Sequence, residues 1–133
     1  TADEGSGICN GGFWEPGGTV EITNTVLDDE CVGDMPLSNG HNIESPGDSC
    51  GFDQPTDHVE VTAGQLNLGP LQDNGGPTIT HALLTEPAPS VAIDAIETED
   101  CADADGEPLT TDQRGEPRPV GDRCDIGAFE VQP

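Results

Sequence analysis

Apolar residues in this chain come in short runs separated by glycine, asparagine and proline. The clearest run is Thr19-Val-Glu-Ile-Thr-Asn-Thr-Val-Leu27. Val20 and Ile22 fall on one face and Glu21 and Thr23 on the other, as in a half-buried strand. Asn24, between two β-branched stretches, predicts a bend joining two short strands rather than one long strand. His58-Val-Glu-Val-Thr62 alternates in the same way and predicts another strand. Leu66, Leu68 and Leu71 make a short apolar segment that ends at Asp73-Asn-Gly-Gly-Pro77, a strong turn signal. Residues 79–84 read as a strand or a single helical turn, Val91-Ala-Ile-Asp94 as a short buried segment, and residues 125–131 as the last strand. Residues 1–18 are Gly-rich and turn-like, residues 28–57 are loop-like, and residues 97–122 form an acidic, Pro-rich loop. No amphipathic helical pattern of ten residues or more is present. Short strands between turns predict an all-β fold, either a sandwich or a solenoid of stacked rungs. Self-repetition is not visible, as expected if only one or two rungs are present.

Composition narrows this. A length of 133 residues suits a single domain. The aromatic residues are Phe13, Trp14, Phe52 and Phe129, and 18 glycines and 12 prolines accompany them. The core is therefore expected to be thin and built from small β-branched side chains. The formal net charge is -24, from 27 carboxylates against three arginines and no lysine. Such a chain repels nucleic acid, anionic membrane and anionic polysaccharide. The acidity fits a solvated surface adapted to high salt, a surface loaded with divalent cations, or one that meets basic proteins. Five cysteines without Cys-x-x-Cys spacing point to disulfides and an exported, extracellular or cell-surface protein. Spacing does not settle their connectivity. No signal peptide or membrane-spanning run is visible, and Thr1 reads as a processed N-terminus or a fragment boundary.

The three arginines, Arg114, Arg118 and Arg123, lie within ten residues of one another. Arg114 stands beside Asp112, and Arg118 lies between two prolines. A guanidinium matches a carboxylate through two parallel hydrogen bonds. Asp94, in the apolar setting Ala92-Ile-Asp-Ala95, is the expected partner of Arg114. The cluster reads as a set of structural ion pairs, with a carboxylate-ligand site as the alternative. In the acidic run, Asp103-Ala-Asp-Gly106 resembles part of an EF-hand loop, but the first ligand position falls on Cys101 and no flanking helices are predicted. A looser calcium site on Asp100, Asp103 and Asp105 is the remaining metal candidate, against a solvated acidic loop; Asp28, Asp29 and Glu30 are a weaker one. His41, His58 and His81 show no metal-ligand spacing, and there is no Gly-x-Ser-x-Gly motif.

Several stretches appear together and in order: Gly69-Pro-Leu-Gln-Asp-Asn-Gly-Gly-Pro-Thr-Ile-Thr-His-Ala-Leu83, Ala92-Ile-Asp94, Asp112-Gln-Arg-Gly115, Arg118-Pro119 and Cys124-Asp-Ile-Gly-Ala-Phe-Glu130. This set resembles the C-terminal region of bacterial exported right-handed parallel β-helix surface proteins, of the choice-of-anchor or polymorphic outer-membrane type. Upstream, residues 19–27 resemble one of their rungs. Cys31, Gly40-His-Asn-Ile43 and Cys50-Gly-Phe52 resemble the insertion before their terminal cap. The resemblance covers residues 19–130. It departs at His41, where an aromatic or apolar residue is expected, and at Thr85–Ser90, a longer link than usual.

The resemblance implies terminal β-helix rungs over residues 1–66, with a Cys31–Cys50 loop insertion, and a C-terminal capping region over residues 67–133. Together with nearness in sequence, it implies the pairings Cys31–Cys50 and Cys101–Cys124, each contributing about 3 kcal/mol through loop closure. Cys9 is then left over, buried or joined to another chain. The implied function is a non-catalytic structural or adhesive module needing no cofactor. Its N-terminal edge would be covered by upstream rungs or by further copies in a head-to-tail filament. Two alternatives stand beside it: a calcium-dependent adhesin domain, and a fragment of a β-helix polysaccharide-degrading enzyme. The second is disfavoured by the absence of lysine and tyrosine for sugar contacts.

Overall fold

The computed structural model describes residues 8–10 and 18–133, with the side chains of Cys9 and Asn10 excepted. Most of the Gly-rich segment expected over residues 1–18, and the fate of the Cys9 thiol, lie outside the described residues. The protein is built mainly of short strands with little helix and no closed barrel among the described residues. It divides into two compact units, Thr1–Thr62 and Ala63–Pro133.

Among the described residues of the first unit every strand pair is parallel. Strand β1 (Ile8–Asn10) pairs with β4 (Cys31–Gly33), β2 (Glu21–Ile22) with β5 (Leu37–Ser38), and β3 (Val26–Leu27) with β6 (Ile43–Glu44). Ile43 also bridges His58 in parallel on its other side. The run over residues 19–27 is split at Asn24, whose φ is 51°, into β2 and β3. His41 has φ 55° and sits at the corresponding corner between β5 and β6. Asparagine and histidine are among the side chains best tolerated in left-handed backbone. This accounts for a histidine where the resemblance calls for an aromatic or apolar residue. Residues 58–62 do not form the expected strand. Glu60 is left-handed, with φ 55°, and the segment is held instead by N–H bonds from Glu60 to the Gly47 carbonyl and from Val61 to the Glu44 carbonyl.

Ile22, Cys50 and Phe52 form the apolar core, with Ile8, Val20, Leu27, Cys31 and Val59 packed against them. Alongside them, Ser38, His41, Asn42, Glu44 and Ser45 are buried polar residues. Most of these have named partners. The Asn42 side-chain oxygen accepts the Thr25 N–H (3.1 Å), and its amide donates to the Ile22 carbonyl (3.1 Å) and to Ser38 Oγ (3.0 Å). It thereby ties one parallel level to the next and leaves none of its own amide groups unpaired. The Glu44 carboxylate, fully buried, accepts the Ser49 N–H (2.5 Å), the Ser49 hydroxyl (2.6 Å) and the Cys50 N–H (3.0 Å). That places Cys50 for its disulfide with Cys31 across a sequence separation of 19.

In the second unit a single helical turn, α1 (Ala63–Leu66), leads into β7 (Leu68–Gln72), which forms an antiparallel hairpin with β8 (Thr80–Leu83). A second antiparallel pair joins β9 (Ile96–Glu97) to β10 (Arg123–Cys124). Residues 125–131 are not the expected last strand, because Asp125 and Glu130 turn their backbone and side chains into a local hydrogen-bond knot. Leu66, Leu83, Ala92, Ile96 and Ile126 are buried, together with the Cys101–Cys124 disulfide.

At the tip of the β7–β8 hairpin, Gly76 has φ +82°, and a Cβ there would lie 2.5 Å from the Arg114 Cα and 2.8 Å from its carbonyl oxygen. Both the conformation and the close approach demand glycine. Gly76→Ala is expected to destabilise the fold by about 1–3 kcal/mol in urea denaturation. An unchanged midpoint would show that the hairpin does not rest on this turn.

Candidate functional site

Among the described residues, a dense assembly of ionisable groups lies in the segment 112–131. Asp112 opens a turn in which its Oδ1 accepts the N–H groups of Arg114 (2.8 Å) and Glu116 (3.2 Å). This is the capacity of a short acidic side chain to fold the backbone around itself. Its Oδ2 accepts from Arg114 Nε (2.9 Å) and Nη2 (2.7 Å), a two-pronged pair, and from the Glu130 N–H (2.9 Å). Arg114 Nη2 also donates to the Glu130 carbonyl at 2.6 Å, and its guanidinium lies 3.6 Å over the centre of the Phe129 ring. A cation on an aromatic face gains further electrostatic attraction.

Glu130 is the second hub. Its carboxylate accepts from Arg118 Nε (2.8 Å), from the Val120 N–H (3.0 Å) and from the Asp125 N–H (3.0 Å). Arg118 Nη2 donates to the Gly127 carbonyl at 2.8 Å. The Arg118 and Glu130 side chains are 5% and 1% exposed. Asp125 is the third hub. Its two oxygens accept the N–H groups of Asp94 and Val131, each at 2.7 Å. Arg123 makes a solvent-exposed pair with Glu97 and donates to the Asp94 carbonyl at 3.0 Å.

These partners correct the sequence expectation. Asp94 is exposed and does not pair with Arg114. It enters the network through its backbone, with φ 53°, as a donor to Asp125 and an acceptor from Arg123. The pairs are Asp112 with Arg114, Glu130 with Arg118 and Glu97 with Arg123. Asp112 prevails because a two-residue turn delivers its carboxylate to Arg114 with little entropy to lose. Glu130 and Asp125 were not singled out in the sequence, although two acids bracketing the apolar Ile126-Gly-Ala-Phe129 are a recognisable anomaly in a segment that must be buried.

The acids of this network are tuned in opposite directions. For Asp112, burial pushes the pKa up, but the Glu130 N–H, the Arg114 guanidinium and the N–H groups of Arg114 and Glu116 outweigh it, leaving the carboxyl below its ordinary 3.8. For Asp125, burial also raises the pKa and is only partly offset by the N–H groups of Asp94 and Val131; the charges of Glu130 and Asp94 raise it further. A raised folded-state pKa means that the folded chain takes up the Asp125 proton before the unfolded chain does. Stability from Asp125 therefore grows as pH falls through its folded pKa towards 3.8. Stability from Asp112 is present above 3.8 and is lost as pH falls through its lowered folded pKa. Asp125→Asn is expected to diminish the gain above pH 3.8 and to leave the loss below it. Unfolding free energies of both proteins measured across the acid range test this; parallel profiles would remove Asp125 as the titrating group.

A shallow hollow of about 220 Å³ lies beside the network, between Ile93, Val120 and Val131, with Asp94, Asp125 and Glu130 in its wall. The oxygens of Asp125 and Glu130 already accept hydrogen bonds from the fold itself, and the principal donors of Arg114 and Arg118 already donate to oxygens of the fold. The arrangement ties residues 112–131 to one another, and its polar groups are committed to that.

The three acids of the candidate calcium site are not brought together. Asp100, Asp103 and Asp105 are exposed, and Asp103 Oδ1 accepts the N–H groups of Asp105 (2.9 Å) and Glu107 (3.0 Å). The Asp103 carboxylate is turned towards its own backbone, and among the described residues no group of three or more His, Cys, Asp or Glu side chains is placed to hold a metal ion. His81 Nδ1 lies 2.7 Å from the Gly69 carbonyl, an ordinary local contact within the hairpin. Both disulfides, Cys31–Cys50 and Cys101–Cys124, are formed. No described helix is long and apolar enough to cross a membrane. The chain matches no protein-family model, no curated protein and no solved structure.

Proposed function

We propose that the chain is a non-catalytic structural and adhesive module of an extracellular or cell-surface protein, made of terminal rungs of a right-handed parallel β-helix and a disulfide-stapled cap. One observation carries this reading: Ile43 pairs in parallel with Val26 on one side and with His58 on the other, at offsets of 17 and 15 residues. Three levels of one ladder separated by nearly equal lengths of chain are what a solenoid produces. The β2–β5 pair, offset by 16 residues, and the matching left-handed corners at Asn24 and His41 support it. So does Asn42, whose side chain bonds the level before it.

The remaining parts follow from that frame. Two disulfides suit an oxidising compartment. The knot around Asp112 and Glu130 suits a cap, because it consumes polar groups within the last turns. On this reading the parallel ladder would continue at the N-terminal side through upstream rungs or another copy. A head-to-tail contact that does not close generates a filament. Electron microscopy tests both statements. The reading expects rods with an axial repeat of about 4.8 Å that lengthen with protein concentration. Isolated particles without that repeat would defeat the β-helix, and short rods of constant length would defeat only the self-assembly.

A further inference from the structure

The first unit carries apolar side chains that its own fold leaves outside. Val32, Met35 and Leu37 are 46%, 63% and 53% exposed, and they fall within six consecutive residues. Scattered exposed apolar residues are ordinary, but a cluster of large ones rimmed by charge marks an interaction surface. The three are close together in the chain, and two of them sit in paired strands. Val32 belongs to β4, paired with β1, and Leu37 belongs to β5, paired with β2. Met35, between them, keeps its Sδ 3.7 Å from where a Cβ on Gly51 would stand.

The rim has one sign. Glu21 is the register partner of Leu37, so the two side chains share a face. Glu30 and Asp34 flank β4, and all three acids are exposed. Residues 1–62 contain no lysine or arginine. We propose that this surface docks an extended segment of a different protein, one that carries lysine or arginine beside apolar side chains. Covering the cluster brings the carboxylates into a drier setting, which is favourable only if cations meet them. A second copy of the unit would press acid against acid, and an anionic lipid surface would do the same. Methionine at the centre suits the role, since its unbranched thioether adapts to differing apolar partners. The proposed filament contact would join copies through backbone strand edges, whereas this surface would engage its partner through side chains.

The experiment uses the full chain and a synthetic peptide alternating lysine and valine, with binding measured calorimetrically at an ionic strength of about 0.15 M. Met35→Ser combined with Leu37→Ser leaves every charge in place and is expected to weaken binding at least about tenfold. Asp103→Asn combined with Asp105→Asn removes two charges from the other unit and is expected to change it less than about twofold. Oxidising Met35, the sole methionine, to its sulfoxide in the folded protein makes the cluster polar without refolding and is expected to reproduce the loss. The proposal is overturned if the serine variant binds like the parent. It is also overturned if the Asp103/Asp105 variant loses as much, since attraction would then be a matter of net charge alone. Self-association that vanishes on Met35 oxidation, or binding to phosphatidylserine vesicles in place of the peptide, would overturn it as well.

Discussion

Replacing Glu130 by glutamine is expected to lower the unfolding free energy by about 3–5 kcal/mol, the usual cost of breaking a buried ion pair from one side. The Arg118 guanidinium, 5% exposed, would keep its charge and lose its counter-charge. The glutamine amide would also present donors where the carboxylate now accepts from the Val120 and Asp125 N–H groups. Arg118→Met together with Glu130→Leu tests whether the pair stabilises or only organises. Removing both charges should recover part of the loss, because two desolvated ions are no longer required. Recovery should stay incomplete, because the two backbone donors remain unpaired. Urea denaturation of the three proteins decides the matter, and a loss below about 1 kcal/mol for Glu130→Gln would mean that water reaches the site and that the knot is not a closed latch.

Converting Cys31 and Cys50 to alanine is expected to remove about 3 kcal/mol, from the loop-closure entropy restored to the unfolded chain over a sequence separation of 19. Cys50 is fully buried and packs with Ile22 and Phe52, so lost sulfur contacts add to the entropic part. The Glu44 carboxylate would still hold the loop through Ser49 and Cys50. For that reason the variant should fold and show a lowered thermal midpoint rather than an unfolded chain. A midpoint equal to that of the parent would assign the loop's order to Glu44 alone.

The readable part of this fold was its local chemistry. The bend at Asn24 follows from a side chain that tolerates left-handed backbone between two β-branched runs. The hairpin turn at Asp73–Pro77 follows from glycines that allow positive φ and a proline that ends the turn. The pairing of the four stapling cysteines is not legible in spacing alone, since five cysteines allow several connectivities. Residues 58–62 show where such reading ends. Their alternation is that of a strand, yet Glu60 turns left-handed because its N–H finds the Gly47 carbonyl, a partner 13 positions away in the chain. The partner of Arg114 is not legible in the sequence for a related reason. Asp94 looked buried from its apolar neighbours, but Ala92 and Ile96 take the interior and leave Asp94 exposed between them.

Composition and order along the chain were enough to establish short strands, a thin core, a strongly acidic surface and a concentration of cations near the C-terminus, because these depend on residue type and near neighbours. Only tertiary contacts could decide which carboxylate meets which arginine. A buried charge takes whichever partner the folded backbone brings within hydrogen-bond reach, and with 27 acids available the pattern of residues does not single out Glu130. Parallel pairing belongs to the same class. Val26, Ile43 and His58 become neighbours only when the chain returns to the same position level after level, and no local preference records that return.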